Sequence, residues 1–99
     1  MDEPMNKEEA TSILKERLGR LRKCSYAELK QMVESRAAKA DEATGSSGNK
    51  YQIEIQTFWD DKAGANIRVQ GSIDDGGWRA FLPLTSSFIM APDGSYVDE

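Results

Sequence analysis

Residues 74–84, DDGGWRAFLPL, gather more chemically distinctive side chains than any other short stretch of this 99-residue chain. Two aspartates precede two glycines, and Trp78 and Arg79 follow. Tryptophan and arginine concentrate binding energy at protein interfaces, so the pair is a candidate anchor. The carboxylates raise a second chemistry. With Asp60 and Asp61 they make four potential oxygen ligands for a hard cation. Neither doublet has the alternating acids of a calcium-binding loop. In a meander the doublets would close successive strands and lie at opposite ends of the sheet. That separation also disfavours a paired-carboxylate glycosidase. Aspartate suits tight turns, where its side chain bonds nearby backbone, and turns are the expectation for both doublets. No metal ion or cofactor is expected.

Residues 14–23, LKERLGRLRK, set five cations against one acid, Glu16. On a helix, Lys15, Arg17, Arg20, Arg22 and Lys23 would flank the leucines and offer contacts to phosphate or to an acidic partner. The plainer reading is a solvated helix face, with cations favoured near the C-terminal end by the helix dipole. The net charge of −4 also turns the chain as a whole away from polyanions.

Histidine is absent, which removes the commonest general base and the commonest zinc ligand. Nucleophile–histidine pairs are therefore impossible, and no other acid, base and nucleophile fall together; no enzymatic activity is expected. Cys24 is the single cysteine, so no intrachain disulfide can form, and a reducing compartment is the simplest setting. The opening residues MDEPMNKEEA lack the pattern of a secretory leader, and no apolar run reaches the roughly 18 residues of a membrane span. The expected location is cytoplasmic, without membrane contact.

The elements that must position these groups divide the chain in two. At 38% hydrophobic and 30% charged, the composition is that of one ordinary globular domain over residues 1–99. Residues 1–5 are expected to fray. Residues 6–40 read as helical. Asn6 with Glu9 suits a helix start, and Ala10, Leu14, Leu18 and Leu21 recur at helical spacing with Ile13 beside them. Gly19 interrupts that run, either to admit a close neighbour or merely at a cost to the helix. SYAE, residues 25–28, is a capping box, preceded by Cys24 and followed by Leu29 as a hydrophobic staple. It marks a second helix carrying Tyr26, Leu29, Met32, Val33 and Ala37 on one face, with one bent helix as the rival arrangement. Residues 41–49, DEATGSSGN, read as a flexible linker.

From residue 50 to 97 the period falls to two. Tyr51, Ile53, Ile55, Thr57 and Trp59 alternate with Gln52, Glu54, Gln56 and Phe58, and Ile67, Val69, Gly71 and Ile73 alternate with Arg68, Gln70 and Ser72. DDGG supplies a hairpin turn into a third strand carrying Trp78, Ala80, Leu82 and Leu84, which Pro83 places at a sheet edge. Phe88 to Met90, a PDG turn and Tyr96–Val97 could add a short return strand. The predicted fold is α+β: an N-terminal helical pair packed on one face of a three- to four-stranded antiparallel β-meander.

That arrangement leaves a second sheet face bearing Gln52, Glu54, Gln56, Phe58, Arg68, Gln70, Ser72, Arg79 and Phe81. Aromatics and arginines among glutamines make a candidate recognition surface. The competing expectation folds the C-terminal segment over this face, with Phe88, Met90 and Tyr96 on Phe58 and Phe81. The sequence therefore points to a non-catalytic protein-interaction module, binding a protein partner or a second copy through Phe58, Arg68, Trp78, Arg79 and Phe81. The alternative is single-stranded nucleic-acid or RNA binding through the same face and the basic helix.

Overall fold

In the computed structural model, which describes residues 6–36, 38–76 and 83–97, the first helix begins where Asn6 turns out of extended backbone. The Asn6 side chain accepts the Glu9 amide at 3.0 Å, capping α1 (Lys7–Arg22). Ala10, Leu14 and Leu18 lie one helical turn apart and are buried together. The chain then breaks at Lys23. Ser25 Oγ accepts the Glu28 amide and Glu28 Oε1 accepts the Ser25 amide, both at 3.1 Å, which fixes the start of α2 (Tyr26–Ser35). The helical part is thus two helices. It stops short of residue 40 because Arg36 adopts a left-handed conformation, φ 54°, and donates its amide to the Val33 carbonyl.

The expected linker over residues 41–49 is not one. Its first residues belong to β1 (Lys39–Thr44), which pairs antiparallel with β2 (Lys50–Trp59) through a turn closed by Gly45 and Asn49. Residues KADEAT carry little β propensity, so the strand is made by its ladder to β2 rather than by local preference. β3 (Ile67–Asp74), β4 (Leu84–Met90) and β5 (Tyr96–Val97) follow, and the sheet runs β1-β2-β3-β4-β5, antiparallel at every pairing. Two helices packed on a five-stranded antiparallel sheet make the α+β architecture, with one strand more than the upper expectation.

The third strand expected around Trp78 to Leu84 falls largely on residues 77–82, outside the described residues. The strand that pairs with β3 begins at Leu84 and includes Phe88 to Met90. It is flanked by β3 and, at its far end, by β5, so among the described residues Pro83 precedes a strand whose second side is paired only at Ile89 and Met90.

The covered face follows the predicted parity. Tyr51, Ile53, Ile67, Val69 and Ile73 are buried with Leu14, Leu18, Leu29 and Val33, and Ile55, Trp59 and Leu84 are half-buried at the rim. Phe88 and Met90 join them, opposite Val69 and Ile67. Close approach of α1 depends on Gly71, where an added Cβ would lie 2.8 Å from Leu14 Cδ1 and 3.3 Å from Leu18 Cδ2. Ser86, also small, sits opposite Gly71. At the other end of the sheet the Tyr26 hydroxyl donates to the Ala65 carbonyl at 2.6 Å, tying α2 to the β2–β3 loop. No helix among the described residues is long and apolar enough to cross a membrane.

Candidate interaction surface

The register of the sheet orders the face that the helices do not cover. Directly opposed residues share a face, so Phe58, Arg68 and Ile89 form one row, continued by Val97 on β5. Gln56, Gln70 and Ser87 form the next, then Glu54, Ser72 and Thr85, then Gln52 and Asp74. Ala40 and Glu42 extend the last two rows onto β1. The face is therefore graded. Apolar side chains gather at the Phe58 end and carboxylates at the Glu42–Asp74 end, with Lys50 at the margin beyond them. Phe58 is 37% exposed, whereas Ile89 in the same row is buried.

Arg68 does not stand free on this face. Its Nε donates to Asp60 Oδ1 at 2.8 Å and its Nη1 to Ser87 Oγ at 2.9 Å. The Asp60 carboxylate, a turn residue by expectation, thus orients the guanidinium along the sheet. Trp78, Arg79 and Phe81 lie outside the described residues. Of the five predicted binding residues, the fold brings Phe58 and Arg68 side by side.

Phe88, Met90 and Tyr96 do not fold over this face. Phe88 and Met90 point to the helix side, and Tyr96 follows Met90 there by register. The Phe88 and Tyr96 rings meet edge-on, centroids 6.1 Å apart, and the Arg22 guanidinium lies 4.8 Å from the first ring centre and 5.2 Å from the second. The Tyr96 hydroxyl donates to the Arg22 carbonyl. The expected satellite core on Phe58 is replaced by this aromatic–arginine clamp at the end of α1.

The basic helix is largely engaged. Arg17 pairs with Asp41 of β1, Arg20 with Glu16 one turn away at 2.6 Å, and Arg22 with the two rings. Lys15 and Lys23 remain exposed on the surface of α1. The second acidic doublet also serves locally: Asp74 Oδ1 accepts the Gly76 amide at 2.8 Å. Among the described residues no cluster of acids or cysteine could hold a metal ion.

Sequence reasoning missed the densest polar cluster. Glu9 Oε1 accepts the Tyr51 and Ser47 hydroxyls, each at 2.7 Å, and Oε2 accepts the Ser47 amide at 3.1 Å and the Ser46 hydroxyl at 3.3 Å. The Ser47 and Tyr51 bonds hold the Glu9 carboxyl below its ordinary value. Burial, then the bond to Glu9, pushes the Tyr51 phenol up. The cluster fastens the β1–β2 turn to the first turn of α1. The one available signal was the run of hydroxyls after Thr44, which no local rule connects to Glu9.

A cleft of about 600 Å³ opens between the end of α2 and β2, lined by Val33, Glu34, Arg36, Thr57, Phe58 and Trp59 among others. Thr57 Oγ1 is buried there without a hydrogen-bond partner among the described residues.

No protein-family model, curated protein or solved structure matches the chain.

Proposed function

We propose that the chain is a protein-interaction module, without catalytic chemistry of its own, that docks a protein partner on the uncovered sheet face at its Phe58 end. The observation that carries this reading is the exposed Phe58 ring beside the Arg68–Ile89 row, on a face against which neither helix packs. Aromatic anchors on a rigid sheet lose little side-chain entropy on binding, and rows of glutamine and serine supply hydrogen bonds around them. Trp78, Arg79 and Phe81, which lie outside the described residues, belong to the same proposal on the sequence reading alone.

The engaged state of Arg17, Arg20, Arg22 and Arg68 supports a protein partner over a nucleic acid, since these four of the cations expected to meet phosphate already have partners, which leaves Lys15 and Lys23 exposed. The test is affinity capture with wild-type protein and Phe58→Ser side by side, both checked by circular dichroism. Captured protein and RNA are identified separately. Loss of an interface anchor is expected to weaken a partner about tenfold or more. A partner held equally by both proteins would move the site off this face, and recovery of RNA alone would replace the reading.

A further inference from the structure

β1 is fastened to the molecule in an unusual way. Five of its six residues are exposed, and Ala43 is the only one packed against the core. Its hold is polar. The ladder to β2 is one part, and two carboxylates on either side of the α1–β1 boundary are the other. Glu9 of α1 grips the turn that follows β1 through Ser46 and Ser47, and also accepts the Tyr51 hydroxyl of β2. Asp41 of β1 is gripped by Arg17 of α1. By contrast, β2 and β3 each place several side chains in the core. An element held by polar contacts over so little apolar surface opens at far lower free energy than the sheet it borders.

The edge beneath it is already partly open among the described residues. β1 begins opposite Ile55, so no described strand lies beside residues 56–59 of β2 on that side, and the cleft beside Thr57, whose hydroxyl has no partner among the described residues, lies along this stretch. We propose that β1 is a displaceable strap, clasped to α1 by Glu9 and by Asp41. Its release extends the open edge of β2 from these last four residues to all ten of the strand. An edge of that length can pair with an extended segment, whereas the closed form offers only the short end. Charge governs the clasp: neutralising Glu9 or placing an anion on Ser47 removes or repels the acceptor that the turn requires. The device does not depend on the Phe58 face being the docking site.

Amide hydrogen exchange, read residue by residue by NMR on the whole chain, tests the strap directly. Amides of β1 bonded to β2 are compared with amides of β2 bonded to β3. In the wild type the β1 set is expected to exchange about tenfold faster or more, through local opening. Glu9→Gln is expected to accelerate the β1 set by about a further tenfold and leave the β2–β3 set unchanged. Ser47→Asp should act like Glu9→Gln, and the double variant should recover part of the Ser47→Asp loss because the repulsion is gone. If Glu9→Gln fails to fold, Ser47→Ala tests the same clasp from the turn side. Equal protection of both sets in the wild type would overturn the proposal. So would acceleration of both sets alike in the variants, which would make Glu9 a support of the whole fold. A fast β1 set indifferent to every variant would overturn the clasp.

Discussion

A carboxylate at the third position of a helix ordinarily serves its own N-cap. Glu9 instead reaches across to residues 37 to 42 positions away and accepts four hydrogen bonds there. These bonds favour the charged form, so the folded chain holds that proton less tightly than the unfolded chain does. The sign follows by linkage. The contribution is present in full above the ordinary glutamate range and is lost as pH falls through the lowered folded value. Asp41 behaves alike, because the Arg17 bond lowers its carboxyl too. Thermal midpoints recorded between about pH 3 and 7 should fall on the acid side for the wild type. Glu9→Gln should start lower and fall less. Parallel curves would show that the Glu9 bonds are not kept in solution. At the alkaline end Tyr51 has the opposite sense: its raised phenol favours the neutral form, so its contribution is lost as pH rises through its folded value.

At the level of elements, two glycines that look alike in the sequence have opposite meanings. Gly19 has nothing among the described residues within 4 Å of where a Cβ would stand, so no described neighbour needs the close approach and the glycine weakens α1. Gly19→Ala should stabilise the fold by about 0.5–1 kcal/mol in chemical denaturation. Gly71 lies under Leu14 and Leu18, and Gly71→Val should destabilise by about 1–3 kcal/mol as those leucines are forced aside. A neutral Gly71→Val would mean that α1 rides higher on the sheet than described. The contrast shows what was legible beforehand. The Ser25 capping box and the alternation of β2 and β3 were readable because each is a local signal repeated within a few residues. β1 was not, since KADEAT has neither alternation nor β-branched weight and is held by partners distant in sequence. β4 was half-hidden because Ser86 stands on the covered face, where the apolar pattern expects a large residue. Its reason is α1, whose seat over Gly71 leaves room for small neighbours only. On the candidate surface, parity placed Phe58 and Arg68 together, but nothing in the sequence announced that Asp60 and Ser87 would occupy the guanidinium.

Across the whole molecule, 13 cations and 17 acids leave a net charge of −4, a total that composition alone supplies. The structure adds how those charges are spent. Arg17, Arg20 and Arg68 are in ion pairs and Arg22 lies on two rings, so the basic character expected of α1 is largely internal. The uncovered face carries Glu42, Glu54 and Asp74 at one end, none of them in an ion pair among the described residues, while its arginine is already matched by Asp60. Such a surface repels a phosphate backbone at long range and has few free cations with which to release counterions at contact. Fluorescence titration with poly(U) at about 0.15 M salt should therefore show no binding tighter than the weak, non-specific range of about 0.1 mM. Lowering the salt should rescue little, because affinity gained on dilution scales with the number of phosphates neutralised. Tight binding with a steep salt slope would require the arginines to leave their present partners, and would turn the reading of this face from protein docking to single-strand recognition.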